Sequence, residues 1–320
     1  MRLQPSAFSC DTIQTVIDAD ITVQLPKEPT LTRLHPHFAQ LTLTPDDPVD
    51  LHMHTTYSDG RWPAQQLIDY LAKEGFKLVS VTDHDRVDKV AEIQAMAAAQ
   101  DLPVLSGVEM TTEWRGHLAH MLCFGFDPAH NEIATVTEKV KQTQLENTYA
   151  VNAELRRRGY EFPRQEELLA ESGGKLFRPS DNARLLQAHG YVSDWHSAIK
   201  MIEDAGFYSV QADIAEAVEA AHKSDAVCLI AHAGRGGGGF TYYTIEMLDQ
   251  LRSEVPIDGL EVYHPYHSPE TVALYEEYVR KHDLLYSTGS DSHGIPSRIP
   301  TKHRAEINRK LLERLDIHIA

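Results

Sequence analysis

Residues 49–85 read VDLHMHTTYSDGRWPAQQLIDYLAKEGFKLVSVTDHD. Val49–Met53 and Lys77–Thr82 are short apolar runs of strand length, and between them Pro63–Glu74 spaces its apolar residues as a helix does. Gly75 follows as the stop signal, the residue that a left-handed helix end favours. Strand, loop, helix, strand is the unit from which parallel sheets with helical crossovers are built. Both strands lead into groups with titratable side chains: Asp50, His52 and His54 with Asp59, then Asp83, His84 and Asp85.

The same alternation extends outward from this unit. Val87–Gln100 reads as an Ala-rich helix, and Val104–Met110 and Leu118–Phe126 as strands. Ile214–Ser224, Tyr242–Glu254, Ser268–His282 and Arg304–Leu315 read as helices, with strands at Ala226–Ala231, Ile257–Tyr263 and Leu284–Thr288. The expected class is α/β with a parallel sheet, either open or closed into a barrel. Residues 130–210 break the pattern. Ile133, Val136, Val140, Tyr149, Asn152 and Leu155 keep helical spacing, and helical pieces follow at Gln165–Glu171, Asp181–His189 and Ser193–Asp204. An inserted helical subdomain at 130–210 is therefore expected, between barrel segments 49–129 and 211–320. Residues 1–48 carry two alternating stretches, Ile21–Leu25 and Gln40–Thr44, punctuated by Pro26, Pro29, Pro36, Pro45 and Pro48, and read as an N-terminal extension with a short β element.

The chain has 320 residues, with 30 Lys+Arg against 47 Asp+Glu and a formal net charge of −17. No apolar run approaches the roughly 20 residues of a membrane span. Cys10, Cys123 and Cys228 show no pairing pattern, and no basic-then-apolar leader is readable, so a cytoplasmic protein is expected. The negative balance disfavours a long nucleic-acid footprint, which rests on Lys and Arg meeting phosphates. Small phosphorylated substrates stay open, because bound cations can supply the positive charge.

Histidine is the anomaly, at 18 residues. His52 and His54 stand at i and i+2 on one strand, so both imidazoles leave the same face. Asp59 follows in the loop, and His84 ends the next strand. Glu109 is suited to bridge two cations with one carboxylate. His117 and His120 follow, then His232 in Ile-Ala-His-Ala-Gly, then the pair His264 and His267. Asp291 and His293 in Ser-Asp-Ser-His repeat the same-face spacing. A lone HxH is a weak signal. Six such groups in order, each at or just beyond a strand end and the His264–His267 pair not counted among them, point to a metal centre.

The series DLHMHTTYSDG, VTDHD, GVEMT, HLAHMLCFGF, LIAHAG, LEVYHPYHSPE and STGSDSHG resembles the PHP (polymerase and histidinol phosphatase) phosphoesterase family from about Val49 to Gly294. The resemblance implies a distorted seven-stranded (β/α)7 barrel holding two or three divalent metal ions. It places one ion among His52, His54, Glu109 and Asp291, a second among Asp59, His84 and Glu109, and a third among His120, His232 and His293. Mixed His and carboxylate ligands suit Mn, Fe or Zn. Asp59 and the EVYHPYHSPE stretch further resemble the branch that hydrolyses nucleoside 3′,5′-bisphosphates or trims RNA from its 5′ end. Where that branch has Ala-His-Pro-Gly and Arg-Pro-His, this chain has Ala231-His232-Ala233-Gly234 and Arg178-Pro179-Ser180.

The function implied is hydrolysis of a phosphate monoester by a metal-bridging hydroxide. The substrate class is a nucleoside 3′,5′-bisphosphate or a short 5′-phosphorylated oligonucleotide. Alternatives are another small phosphate such as histidinol phosphate, a metal-binding regulatory module, or an amide hydrolase. His264 and Asp291 are the expected catalytic residues, with His264 acting on the leaving oxygen or the phosphate and His267 beside it. Arg178 and Arg184 are expected phosphate contacts, since arginine offers bidentate geometry, and Arg235 with the Gly236–Gly239 run is expected to approach phosphate through backbone N–H groups. Asp83 and Asp85 are expected to orient His84. The remaining histidines, His222 among them, read as structural or surface residues.

Overall fold

The computed structural model describes residues 41–178 and 180–320. The expected strand Ile21–Leu25 lies outside them. The chain order is β1 (Thr42–Leu43), β2 (Pro48–Asp50), α1 (Ala64–Glu74), β3 (Leu78–Val79), α2 (Val87–Ala98), β4 (Gly107–Trp114) and β5 (His117–Phe124). Then come α3 (Ile133–Arg157), α4 (Gln165–Leu168), α5 (Asp181–Ala188), α6 (Trp195–Asp204), β6 (Ala212–Asp213), α7 (Ile214–Lys223) and β7 (Val227–Ile230). The last elements are α8 (Ile245–Glu254), β8 (Gly259–Tyr263), α9 (Pro269–Lys281), β9 (Leu285–Thr288), β10 (His303–Arg304), α10 (Arg309–Arg314) and β11 (His318–Ile319).

The strands form a six-stranded sheet in the order β6-β4-β5-β7-β8-β9, a three-stranded sheet β10-β2-β3 and the pair β1-β11. Isolated bridges join Met53 to Ser292 and His84 to Glu109, tying the three-stranded sheet to both flanks of the larger one. The fold is α/β. The sheet is mixed, however, where the sequence pattern suggested parallel strands throughout. β4 and β5 form an antiparallel hairpin, and β5 also runs antiparallel to β7. The physical reason is a two-residue turn at Arg115 and Gly116, both at positive φ (52° and 77°), the backbone that tight hairpins require. This reversal matters for the site. The N-terminal end of β5, which carries His120, lies at the same edge as the C-terminal ends of the parallel strands.

Apolar clusters hold these layers together. Leu51, Leu78, Leu105, Leu122 and Leu229 pack on one side of the strands, and Val108, Met110, Ile230, Leu260 and Val262 face the helices on the other. The alternation along β7, with Val227 and Leu229 in one cluster and Cys228 and Ile230 in the other, is the period-two signature of a strand covered on both faces. The helical segment has a core of its own, built from Val151, Leu155, Phe162, Leu185, Leu186 and Ile202.

Candidate metal centre

Glu109 organises the site. Its carboxylate is buried and its two oxygens face different groups. Oε2 lies 3.0 Å from His52 Nε2, 3.1 Å from His54 Nε2 and 3.4 Å from His84 Nε2. Oε1 lies 2.9 Å from His232 Nε2 and 3.0 Å from His120 Nδ1. Asp291 Oδ1 completes the first group, 3.2 Å from His54 Nε2 and 3.7 Å from His52 Nε2. Asp59 stands at the open side, near His54 Nδ1 (3.6 Å) and His84 Nε2 (4.0 Å). His293 reaches Asp59 Oδ2 at 3.1 Å and Asp291 Oδ1 at 3.4 Å, and it lines one cavity with His120 and His232.

Local backbone explains how these side chains come so close. His232 and Asp291 adopt positive φ (32° and 47°), an unfavourable conformation for residues other than glycine and one that concentrates at functional sites. Gly289 permits the approach of β2 and β9: a Cβ there would stand 2.2 Å from His52 Cβ and 2.6 Å from Glu261 Oε1. The loop after β2 is pinned by Asp83, which accepts hydrogen bonds from Thr55 N, Thr55 Oγ1 and Ser58 Oγ, each at 2.7 Å. Asp85 accepts from Thr111 N at 3.1 Å. These two acids therefore brace loops, and the expected bond to the His84 ring is absent; His84 Nδ1 is buried without a hydrogen-bond partner.

The donor set fits divalent cations. His52 Nε2 and His54 Nε2 face each other at 3.2 Å, and both point at carboxylates. Three sets of donors, His52–His54–Glu109–Asp291, His54–Asp59–His84 and His84–Glu109–His120, each fall within 4.8 Å of one another. Burial disfavours the charged form of Glu109, yet His84, His52 and His120 outweigh it and hold its pKa well below 4.5. Burial likewise opposes the cation of His54, but Asp291, Glu109 and Asp59 prevail and raise it to about 10. His84 and His232 are depressed to about 4, because burial dominates. Ionised carboxylates beside neutral imidazoles are the forms that ligate metals, and a cation at His54 would take the place of its proton.

The sequence pattern did not single out two residues that hold this cluster. Glu261, fully buried on β8, accepts from His52 Nδ1 at 2.9 Å and from the His232 backbone N–H at 2.8 Å. An acid between Leu260 and Val262 in an apolar strand was the available signal. Arg298 donates to Asp291 Oδ2 at 2.6 Å and to Tyr266 Oη at 2.6 Å, from a loop with no periodicity to mark it.

The expected substrate residues are placed as follows. His264 is buried behind Asp291, with Nε2 3.2 Å from Oδ2 and Nδ1 accepting from Tyr266 N–H at 3.2 Å. His267 engages backbone at both nitrogens, Val262 O at 2.8 Å and Gly234 N at 2.9 Å. Arg235 lines the cavity over the cluster, its guanidinium 3.4 Å from the Phe240 ring centre and 4.7 Å from that of Tyr266. Arg178 Nη1 donates to Ser58 O at 3.1 Å and lines a second cavity, whereas Arg184 lines neither. The first cavity, about 250 Å³, also presents Arg61 and Arg298. The second, about 260 Å³, adds Tyr57, Arg86, Lys141 and Phe177, and the two share Asp59, His84 and His120.

Imidazoles converging on a two-faced buried carboxylate, at the strand ends of an α/β fold, define a metal-dependent hydrolase. The chain belongs to the PHP domain family, whose model matches residues 50–231. It is 28% identical over 249 residues to a 3′,5′-nucleoside bisphosphate phosphatase of Chromobacterium violaceum, covering 77% of this chain and 87% of that protein. It is 28% identical over 270 residues to the 5′-3′ exoribonuclease Rnm of Escherichia coli, covering 76% and 84%. A crystal structure of a putative metal-dependent phosphoesterase from Bifidobacterium adolescentis superposes with a TM-score of 0.70 at 26% identity, over 85% of this chain and 97% of that one. The protein is a metal-dependent phosphoesterase. Among the described residues, no helix is long and apolar enough to cross a membrane.

Proposed function

We propose that the chain hydrolyses a phosphate monoester of a nucleotide, either a nucleoside 3′,5′-bisphosphate or a short 5′-phosphorylated oligonucleotide. The observation that carries this reading is the pair of cavities meeting at Asp59, His84 and His120. A single small phosphate needs only the first. A substrate with a second phosphate and a base also uses the second, where Tyr57 and Phe177 offer aromatic faces and Arg178 and Lys141 offer charge.

Two or three divalent ions, Mn, Fe or Zn, fit the donors around Glu109, within a seven-stranded barrel covered by helical segment 130–210. Bound there, such ions would supply an ionised water and neutralise phosphoryl oxygens near neutral pH. The protein's own groups do the rest. Arg235, whose guanidinium lies beside the Phe240 and Tyr266 rings in the first cavity, donates to the phosphate. Arg298 and His264 both engage Oδ2 of the Asp291 carboxylate, which leaves Oδ1 toward His54, and Glu261 sets the His52 tautomer by accepting from Nδ1. His267 braces the loop that carries His232 and Arg235.

The test is phosphate release in the presence of Mn²⁺ from adenosine 3′,5′-bisphosphate, AMP, histidinol phosphate and a short 5′-phosphorylated RNA. The expected result is preferred release from the bisphosphate or mononucleotide release from the RNA, abolished in a His52→Ala, His54→Ala double variant. Preference for histidinol phosphate would move the substrate class to small metabolites. No release from any of them, by metal-loaded protein, would overturn the nucleotide reading.

A further inference from the structure

At the opposite end of β7 from His232 lies a second set of donors. His222 is in the last turn of α7, Cys228 is at the start of β7 and Asp258 stands immediately before β8. His222 Nε2 is 3.0 Å from Asp258 Oδ2 and 3.7 Å from Cys228 Sγ, and that sulfur is 3.2 Å from the same Oδ2. A tetrahedral Zn²⁺ with N and O ligands at about 2.0 Å and S at about 2.3 Å would set its ligand atoms roughly 3.3–3.6 Å apart. The three donors already describe such a face to within a few tenths of an ångström.

The surroundings suit an ion as well. The Cys228 backbone N–H donates to Asp258 Oδ2 at 2.8 Å, which fixes the carboxylate independently of the other two groups. The thiol is buried, while the side chains of His222 and Asp258 are 38% and 27% exposed, so the triad opens to solvent on one side only. That side leaves room for a water as fourth ligand.

We propose that His222, Cys228 and Asp258 form a second metal site, separate from the catalytic centre, that takes a thiophilic divalent ion of the Zn²⁺ type. On binding, Cys228 releases its thiol proton to solvent, and the neutral His222 ring carries its proton on Nδ1 so that Nε2 faces the ion. Thiolate and carboxylate then balance the two positive charges, and nothing is oxidised or reduced. The site joins the end of α7, the start of β7 and the entry to β8, and it plays a structural part remote from the substrate cavities.

Cobalt distinguishes the two centres, because the catalytic cluster consists of imidazoles and carboxylates alone. Metal-stripped full-length protein is titrated with Co²⁺ while the near-ultraviolet thiolate-to-cobalt band is recorded. The expected band saturates at one cobalt–thiolate per chain, persists in the His52→Ala, His54→Ala variant and disappears in Cys228→Ser. In His222→Ala, whose half-exposed position leaves folding intact by circular dichroism, it requires more than about tenfold more Co²⁺, and Mn²⁺-dependent phosphate release is unchanged. No band in the native protein, a band retained in Cys228→Ser, or the same Co²⁺ requirement in His222→Ala would overturn the proposal.

Discussion

The strand-end cluster and the helical segment α3–α6 handle charge in opposite ways. In the cluster, His52, His54, Glu109 and Asp291 are buried and face one another at about 3 Å. In the helical segment, Glu154 meets Arg157 and Arg158 on the surface, and Arg164 meets Glu167 likewise. Surface pairs of this kind contribute little to stability. The segment is held instead by its apolar core around Leu155 and Leu186. Burying several ionisable groups together costs desolvation energy that folding does not need to spend. The cluster is therefore a feature retained for chemistry, whereas the charges of the helical segment serve solubility.

The comparison can be broken at either region. Glu261→Gln keeps the shape of the buried acid but replaces one acceptor oxygen with an NH₂ that cannot accept from both His52 and His232. Metal retention after dialysis and Mn²⁺-dependent turnover are both expected to fall about 10–100-fold, with the fold retained by circular dichroism. Unchanged metal content would show that His52 needs no support from β8. In the helical segment, Leu155→Ala removes a fully buried side chain and is expected to cost about 2–5 kcal/mol in denaturant unfolding. Turnover well below the melting transition should stay near the native value. A collapse of turnover at that temperature would mean that the segment and the cluster form one cooperative unit, with Arg178 and Ser58 as the link between them.

The two regions were also unequally legible in the sequence. His52 and His54 announce themselves because a strand's period of two puts i and i+2 on one face, and the structure does bring them together with Glu109 and Asp291. The helical spacing through Leu155 was equally plain. The β4–β5 hairpin was not, because its turn is only Arg115 and Gly116 between two apolar runs already read as strands. His264 looked like a cavity residue since it follows a strand end, but the chain turns so that its ring lies beneath Asp291. Glu261 and Arg298 act through histidine and carboxylate partners far away in sequence, and no local period encodes such a contact.

The smallest expected effect tests the surface side of the comparison. Hydrogen bonds from Arg157 and Arg158 lower the pKa of Glu154 from 4.5 to about 2 in the folded protein. A carboxylate depressed on folding stabilises the native state above its unfolded value, here 4.5, and that contribution is lost as pH falls toward 2. The difference in melting temperature between the native protein and Arg157→Ala should therefore be small, present above pH 4.5 at low salt, and shrink with acid. Because the Glu154 carboxylate is solvent-exposed, salt should abolish the difference as well. A difference that survived high salt undiminished would place this pair with the buried charges of the cluster, and the contrast between the two regions would fail.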